Sequence, residues 1–225
     1  MKVIDISGPI YTGMWSYADY YPDFKLSSVE FEFGGEKYSV DVFEGMHAQT
    51  GTYIESPEGF STSGKSGGLN AAVPVEKLFM VDAYVLKISH DNLGIKDGRP
   101  YISLQDIKEA ERGSLPEGSA ILVGTGYGQN WERKDYVDKA WFFKKEALDY
   151  LTDKKPFLLG GDSPSWENGV NPEGAFERFY KSGSLLLAPC VNLEEITKYR
   201  VKLTALPLNI LKAGVCPVRA IVSED

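Results

Sequence analysis

Apolar and polar residues alternate over Val29, Phe31 and Phe33 and again over Tyr38, Val40 and Val42, with Gly34-Gly35 between the two runs. A Gly-Gly step supplies the positive φ values of a tight turn, so the pattern predicts a β-hairpin. Val3, Ile4 and Ile6 read as a short buried strand closed by the turn Ser7-Gly8-Pro9. Residues 78–88, with Val81, Val85 and Ile88, predict a central strand. Further strands are expected over 120–123, 157–159, 184–188, 203–207 and 218–222. Ser103, followed three residues later by Asp106, predicts an N-cap and a helix ending at Gly113. Residues 144–151 and 174–180 predict two more helices, and 193–196 a short helical turn. Strands alternating with helices imply an α/β fold with a mixed sheet. No internal repeat or linker divides the chain, so residues 1–225 are expected to form one domain.

Two segments lack a clean period. Residues 10–24 are rich in Tyr, Trp, Pro and Gly and include Trp15. They read either as a loop packing its own aromatics or as a flap supplying an aromatic wall to a pocket. Residues 61–69 read as a Gly/Ser-rich loop.

Bulk properties narrow the functional classes. A chain of 225 residues, 43% hydrophobic and 25% charged, has ordinary globular composition and can bury a real core. A net charge of −8 without a basic run argues against nucleic-acid binding. The N-terminus enters a strand-like segment without a signal-peptide pattern, and no apolar run reaches membrane-spanning length. A soluble cytoplasmic protein with a small-molecule ligand is expected. Cys190 and Cys216 form no C-x-x-C motif and read as buried small hydrophobes.

The common catalytic motifs are absent. Gly124-Thr125-Gly126-Tyr127-Gly128 lacks the third glycine position of a dinucleotide fingerprint. Ser165 occupies the second glycine position of a nucleophile elbow in Gly161-Asp162-Ser163-Pro164-Ser165. Asp162, Ser165 and Glu167 form a polar element at a strand end. Their expected role is capping and turn formation, with Asp162 also a candidate for ligand binding.

The stretch that follows the hairpin carries the chemistry. Gln49-Thr50-Gly51-Thr52-Tyr53-Ile54-Glu55-Ser56-Pro57-Glu58-Gly59 resembles the signature H-x-G-T-H-x-D-x-P-x-H of the cyclase family. That family contains kynurenine formamidase and isatin hydrolase, both metal-dependent amide hydrolases. Ile4-Asp5-Ile6-Ser7-Gly8-Pro9-Ile10, Leu122 to Tyr127, Leu159 to Ser165 and Pro217-Val218-Arg219-Ala220 resemble the family's other segments. The resemblance implies a swivelling β/β/α fold and a homodimer, or a higher homo-oligomer, whose neighbour helps close the site.

Carried over residue by residue, the resemblance places the signature histidines on Gln49, Tyr53 and Gly59 and the aspartate on Glu55. A later histidine falls near Glu177, and a glutamate ligand falls on Ala188. The chain has only two histidines, His47 and His90, and His90 reads as a surface turn residue. Zinc prefers imidazole or thiolate and usually takes three protein ligands in a catalytic site. The ligand set the resemblance leaves is Gln49 and Glu55, with Glu177 or His47 as the third member. The expectation is therefore no metal or a weakly bound zinc or manganese ion.

Glu55 is the candidate catalytic residue. Burial beside Tyr53 would make it a general base. Its other reading is a structural carboxylate bonded to Thr50, Thr52 or backbone N–H groups. Gln49, Thr52, Tyr53, Trp15 and Asp162 complete the candidate ligand-binding set. Three functions fit the sequence: a hydrolase of a small N-acyl or cyclic amide, a metal-free relative binding a small polar or aromatic ligand, and an interaction protein that kept only the fold.

Overall fold

The computed structural model describes residues 1–57 and 73–224. The Gly/Ser-rich stretch 61–69 and the signature position Gly59 lie outside the described residues.

A closed, mixed sheet forms the centre of the molecule. Its strands are β1 (Lys2–Asp5), β4 (Tyr53–Glu55), β5 (Val81–Lys87), β8 (Ala120–Gly124), β10 (Leu158–Gly161), β11 (Leu185–Ala188), β12 (Arg200–Pro207) and β13 (Val215–Glu224). They pair in the order β1-β13-β12-β5-β8-β10-β11-β4, and β4 returns to β13 to close the barrel. β5, β8, β10 and β11 run parallel, whereas β4, β12 and β13 pair antiparallel. One edge of β13 serves two partners. Its first residues, Val215–Pro217, pair with β4, and its last, Ile221–Glu224, pair with β1.

Strand alternation sorts the side chains into two cores. Ala120 and Leu122 of β8, Leu185 and Leu187 of β11, and Ile54 of β4 point into the barrel with Val201, Leu203, Ala220 and Val222. Ile121, Val123, Leu159, Leu186 and Tyr53 face outward into a second, aromatic-rich core. Helices cover that outer core: α1 (Leu104–Ala110), α2 (Lys145–Asp153) and α3 (Ala175–Lys181). Both faces of the parallel strands are therefore buried, which explains why they read as continuous apolar runs rather than alternating ones.

The predicted hairpin is present as β2 (Lys25–Phe33) and β3 (Glu36–Glu44), paired in full register around Gly34 and Gly35. Both glycines have positive φ, as the turn requires. Helix α1 opens on the expected capping box, in which the Ser103 side chain accepts the Asp106 N–H and Asp106 accepts the Ser103 N–H. The central strand starts at Val81 rather than residue 78. Met80 adopts a positive φ of 53°, and its N–H is held by the Thr204 hydroxyl. A small sheet of β6 (Gly94–Lys96), β7 (Arg99–Ile102) and β9 (Phe142–Phe143) has no counterpart in the sequence reading. Its strands are too short to show a period.

Candidate functional site

Strand β4 decides which side chains of the signature stretch reach a cavity. Ile54 enters the barrel, so Tyr53 and Glu55 face the outer side. There Glu55 lies opposite Leu186 and Tyr53 opposite Ala188 on β11. These four residues form the floor of a cavity of about 360 Å³. Tyr17, Tyr20 and Tyr21 from the 10–24 segment line one side, Pro164 to Trp166 another, and Phe176 and Tyr180 of α3 a third. Both readings of residues 10–24 are realised: Trp15 packs on Tyr17 and Tyr20 on Tyr21, and three of the tyrosines wall the cavity.

A chain of polar contacts runs along the wall. The Tyr21 hydroxyl donates to Gln49 Oε1 at 2.8 Å. Gln49 Nε2 approaches the Tyr53 hydroxyl at 3.4 Å, and the Tyr17 hydroxyl donates to the same oxygen at 3.3 Å. Tyr53 thus accepts twice and keeps its own proton to donate. Burial pushes the phenols of Tyr17, Tyr53 and Tyr180 well above their ordinary range, so all three stay protonated. Behind Tyr21, the His47 ring stacks at 4.4 Å. Burial lowers the pKa of that imidazole, which favours its neutral form.

Glu55 is only 7% exposed. Burial raises its pKa to about 7, and a hydrogen bond from Tyr180 opposes that shift. Among the described residues Glu55 has no ion-pair partner, and no Lys, Arg or His lines the cavity. The expected bonds to Thr50 and Thr52 do not form. Thr50 instead accepts the His47 N–H, and Thr52 accepts the Gly8 N–H and donates to the Pro189 carbonyl.

The remaining candidates separate from this cavity. Thr52 lines a different groove, beside Gly8 and Trp131. Trp15 is buried behind Tyr17, with ring centroids 5.3 Å apart, and lines only a small neighbouring cleft. Asp162 is fully buried at the end of β10. It accepts the N–H groups of Thr125, Gly126 and Tyr127, the Thr125 hydroxyl and the Trp141 indole N–H. Those bonds tie the ends of β8 and β10 together, which is a structural role. Glu177 is corrected most clearly: its side chain is 70% exposed and pairs with Lys181 one turn on. Helical periodicity turns Ala175, Phe179 and Tyr180 inward and leaves Glu177 outside. His90, expected at the surface, packs against Tyr127 at 5.3 Å, with its Nδ1 atom buried.

Tyr180 and Phe176 are among the site residues the sequence did not single out. Their signal was the inward stripe of α3, legible as periodicity but indistinguishable there from ordinary core packing.

Among the described residues no three His, Cys, Asp or Glu side chains gather closely enough to hold a transition metal. Glu55 is, among the described residues, the one carboxylate on the cavity lining, and the inherited ligand positions beside it present an amide at Gln49, a phenol at Tyr53 and a methyl at Ala188. This set does not fit zinc or manganese, which require three or more good donors in an open site.

Similarity to known proteins follows the same fold. The family model for Cyclase matches residues 4–168. A kynurenine formamidase of Bacillus cytotoxicus is 27% identical over 179 residues, covering 79% of this chain and 77% of that protein. An isatin hydrolase bound to the product analogue thioisatinate superposes with a TM-score of 0.78 at 19% identity, covering 98% of this chain and 91% of the other. A structure described as a potential metal-dependent hydrolase with cyclase activity gives a TM-score of 0.72 at 20% identity, with 98% of both chains covered. No helix among the described residues is long and apolar enough to cross a membrane. With the barrel, the signature stretch and most of the chain accounted for in this way, the protein belongs to the cyclase family.

Proposed function

We propose that this protein is a divergent relative of the kynurenine formamidase-like hydrolases that binds a small ligand in the Glu55 cavity without a resident transition metal. One observation carries the reading. Gln49, Tyr53, Glu55 and Ala188, four of the positions inherited from the metal site, line one cavity, and among the described residues they bring a single carboxylate and no imidazole. The cavity is of ligand-binding size, aromatic on several sides, and supplied with a few convergent polar groups. Glu55 can accept or deliver a proton, and the Tyr53 O–H can donate to a ligand oxygen.

A second reading is supported by the 27% identity to a kynurenine formamidase. In it, Glu55 acts as general base toward water attacking a small N-acyl or cyclic amide, with Tyr53 donating to the carbonyl oxygen.

Elemental analysis and formamidase assays of the purified chain separate these readings. Substoichiometric zinc and manganese, no turnover of an N-formyl aromatic amine, and a thermal shift with a small ligand are expected. Near-stoichiometric metal lost in Glu55→Ala would overturn the metal-free reading. Turnover without metal that disappears in Glu55→Gln would establish the second.

The reading includes a homodimer. The hairpin leaves Val29, Phe31, Phe33, Val40 and Phe43 exposed. A two-stranded ribbon is marginal in water without a covering surface. A second copy of this chain is the partner proposed for it.

A further inference from the structure

The cavity has an unusual balance of groups. Its described lining carries seven aromatic side chains: Tyr17, Tyr20, Tyr21, Tyr53, Trp166, Phe176 and Tyr180. Against them stands one buried carboxylate, and among the described residues no cationic side chain faces it. The lining also includes Leu186, Ala188 and Pro164, which add apolar surface but no charge.

Each ligand class meets this lining differently. A carboxylate or phosphate would face Glu55 with no Lys, Arg or His among the described lining to offset the repulsion, whereas such ligands are held by cationic or N–H-rich sites. A neutral aromatic would pack well but would offer no counter-charge to Glu55 in its ionised form. An organic ammonium satisfies both features. Its positive charge pairs with Glu55, and its methyl or methylene groups are stabilised against the electron-rich ring faces.

Resting on the reading of this cavity as the ligand site, we propose that its ligand is a small organic cation, a methylated ammonium compound, with Glu55 as counter-charge and the surrounding rings as an aromatic cage. Two further features fit. The Tyr53 O–H, which accepts from Tyr17 and Gln49, is available to donate to a hydroxyl or carbonyl oxygen on the same ligand. Tyr20, 81% exposed, stands at the mouth, where a second electron-rich ring would draw in a cation.

Titration calorimetry of the full chain tests the proposal with choline, its uncharged isostere 3,3-dimethylbutan-1-ol, and benzoate. Choline is expected to saturate the protein, with the isostere binding at least about tenfold more weakly and benzoate giving no heat. Glu55→Gln should weaken choline at least about tenfold while far-UV dichroism stays unchanged. Equal binding of choline and its isostere, tighter binding of benzoate, or no saturation by choline up to about 20 mM would each overturn it. The isostere comparison uses the unaltered protein, so it decides the matter even if the variant does not fold. A parallel melting series with indole separates the two levels. Stabilisation by indole but not by choline sinks the cation alone. Stabilisation by neither sinks the cavity reading as well.

Discussion

At the scale of single residues, Glu55 and Asp162 show how one side-chain type serves two ends. Both are buried carboxylates with raised pKa values, to about 7 for Glu55 and about 6 for Asp162. Among the described residues Glu55 has a hydrogen bond from Tyr180 to offset its burial. Asp162 accepts five, and they hold two strand ends together. A raised folded-state pKa means that the unfolded chain releases this proton first. Stability contributed by the protonated form is therefore lost as pH climbs from about 4.5 to above 7. Glu55→Gln does not titrate and should gain relative to the parent across that interval. Urea unfolding is expected to show the variant's relative stability improving by about 2 kcal/mol between pH 5 and pH 8. Asp162→Asn should act in the opposite sense. It places an NH₂ donor against groups that are themselves donors, and should cost about 3 kcal/mol at neutral pH. A loss below about 0.5 kcal/mol in denaturant titration would refute the structural role assigned to Asp162.

At the scale of elements, most of the fold was legible in the chain. The hairpin, the capping box of α1, the inward faces of α2 and α3, and the apolar strands follow from period, turn chemistry and caps. The misses were local. The β6–β7–β9 sheet is made of strands too short to carry a period. Met80 delays β5 through a tertiary bond to Thr204 that lies far off in sequence. The hairpin also carries the prediction about assembly. Its apolar residues stand at 49% exposure for Phe31 and 52% for Val40. In the proposed dimer they are covered by the second chain. Light scattering should find a dimer for the parent, and Phe31→Glu with Val40→Glu should shift it toward monomer, because a buried unpaired charge opposes association. A monomeric parent at micromolar concentration would count against the dimer.

At the scale of the whole molecule, closure of the sheet is what makes a site. β4 contributes only Tyr53–Glu55, yet it joins β11 to β13 and so sets the side on which each of its residues lies. That single register sends Ile54 into the barrel and Tyr53 with Glu55 into the cavity. It also brings Ala188, distant in sequence, opposite Tyr53. The sequence by itself determined the family frame, the alternation of strands and helices, and the chemical poverty of the metal signature, because these depend on residue identity and local spacing. Only the tertiary structure decided which residues share the cavity. It left Glu177 on the outer face of α3 and placed Tyr180 beside Glu55 instead. It also turned Thr52 to a separate groove and tied Asp162 into the joint between β8 and β10. The physical reason is that a strand or helix fixes the spacing of its own side chains, whereas which face becomes a wall depends on the partner that packs against it. The signature stretch specifies the positions of a site, and the packing of α3 and the aromatic segment against it specifies what kind of site it is.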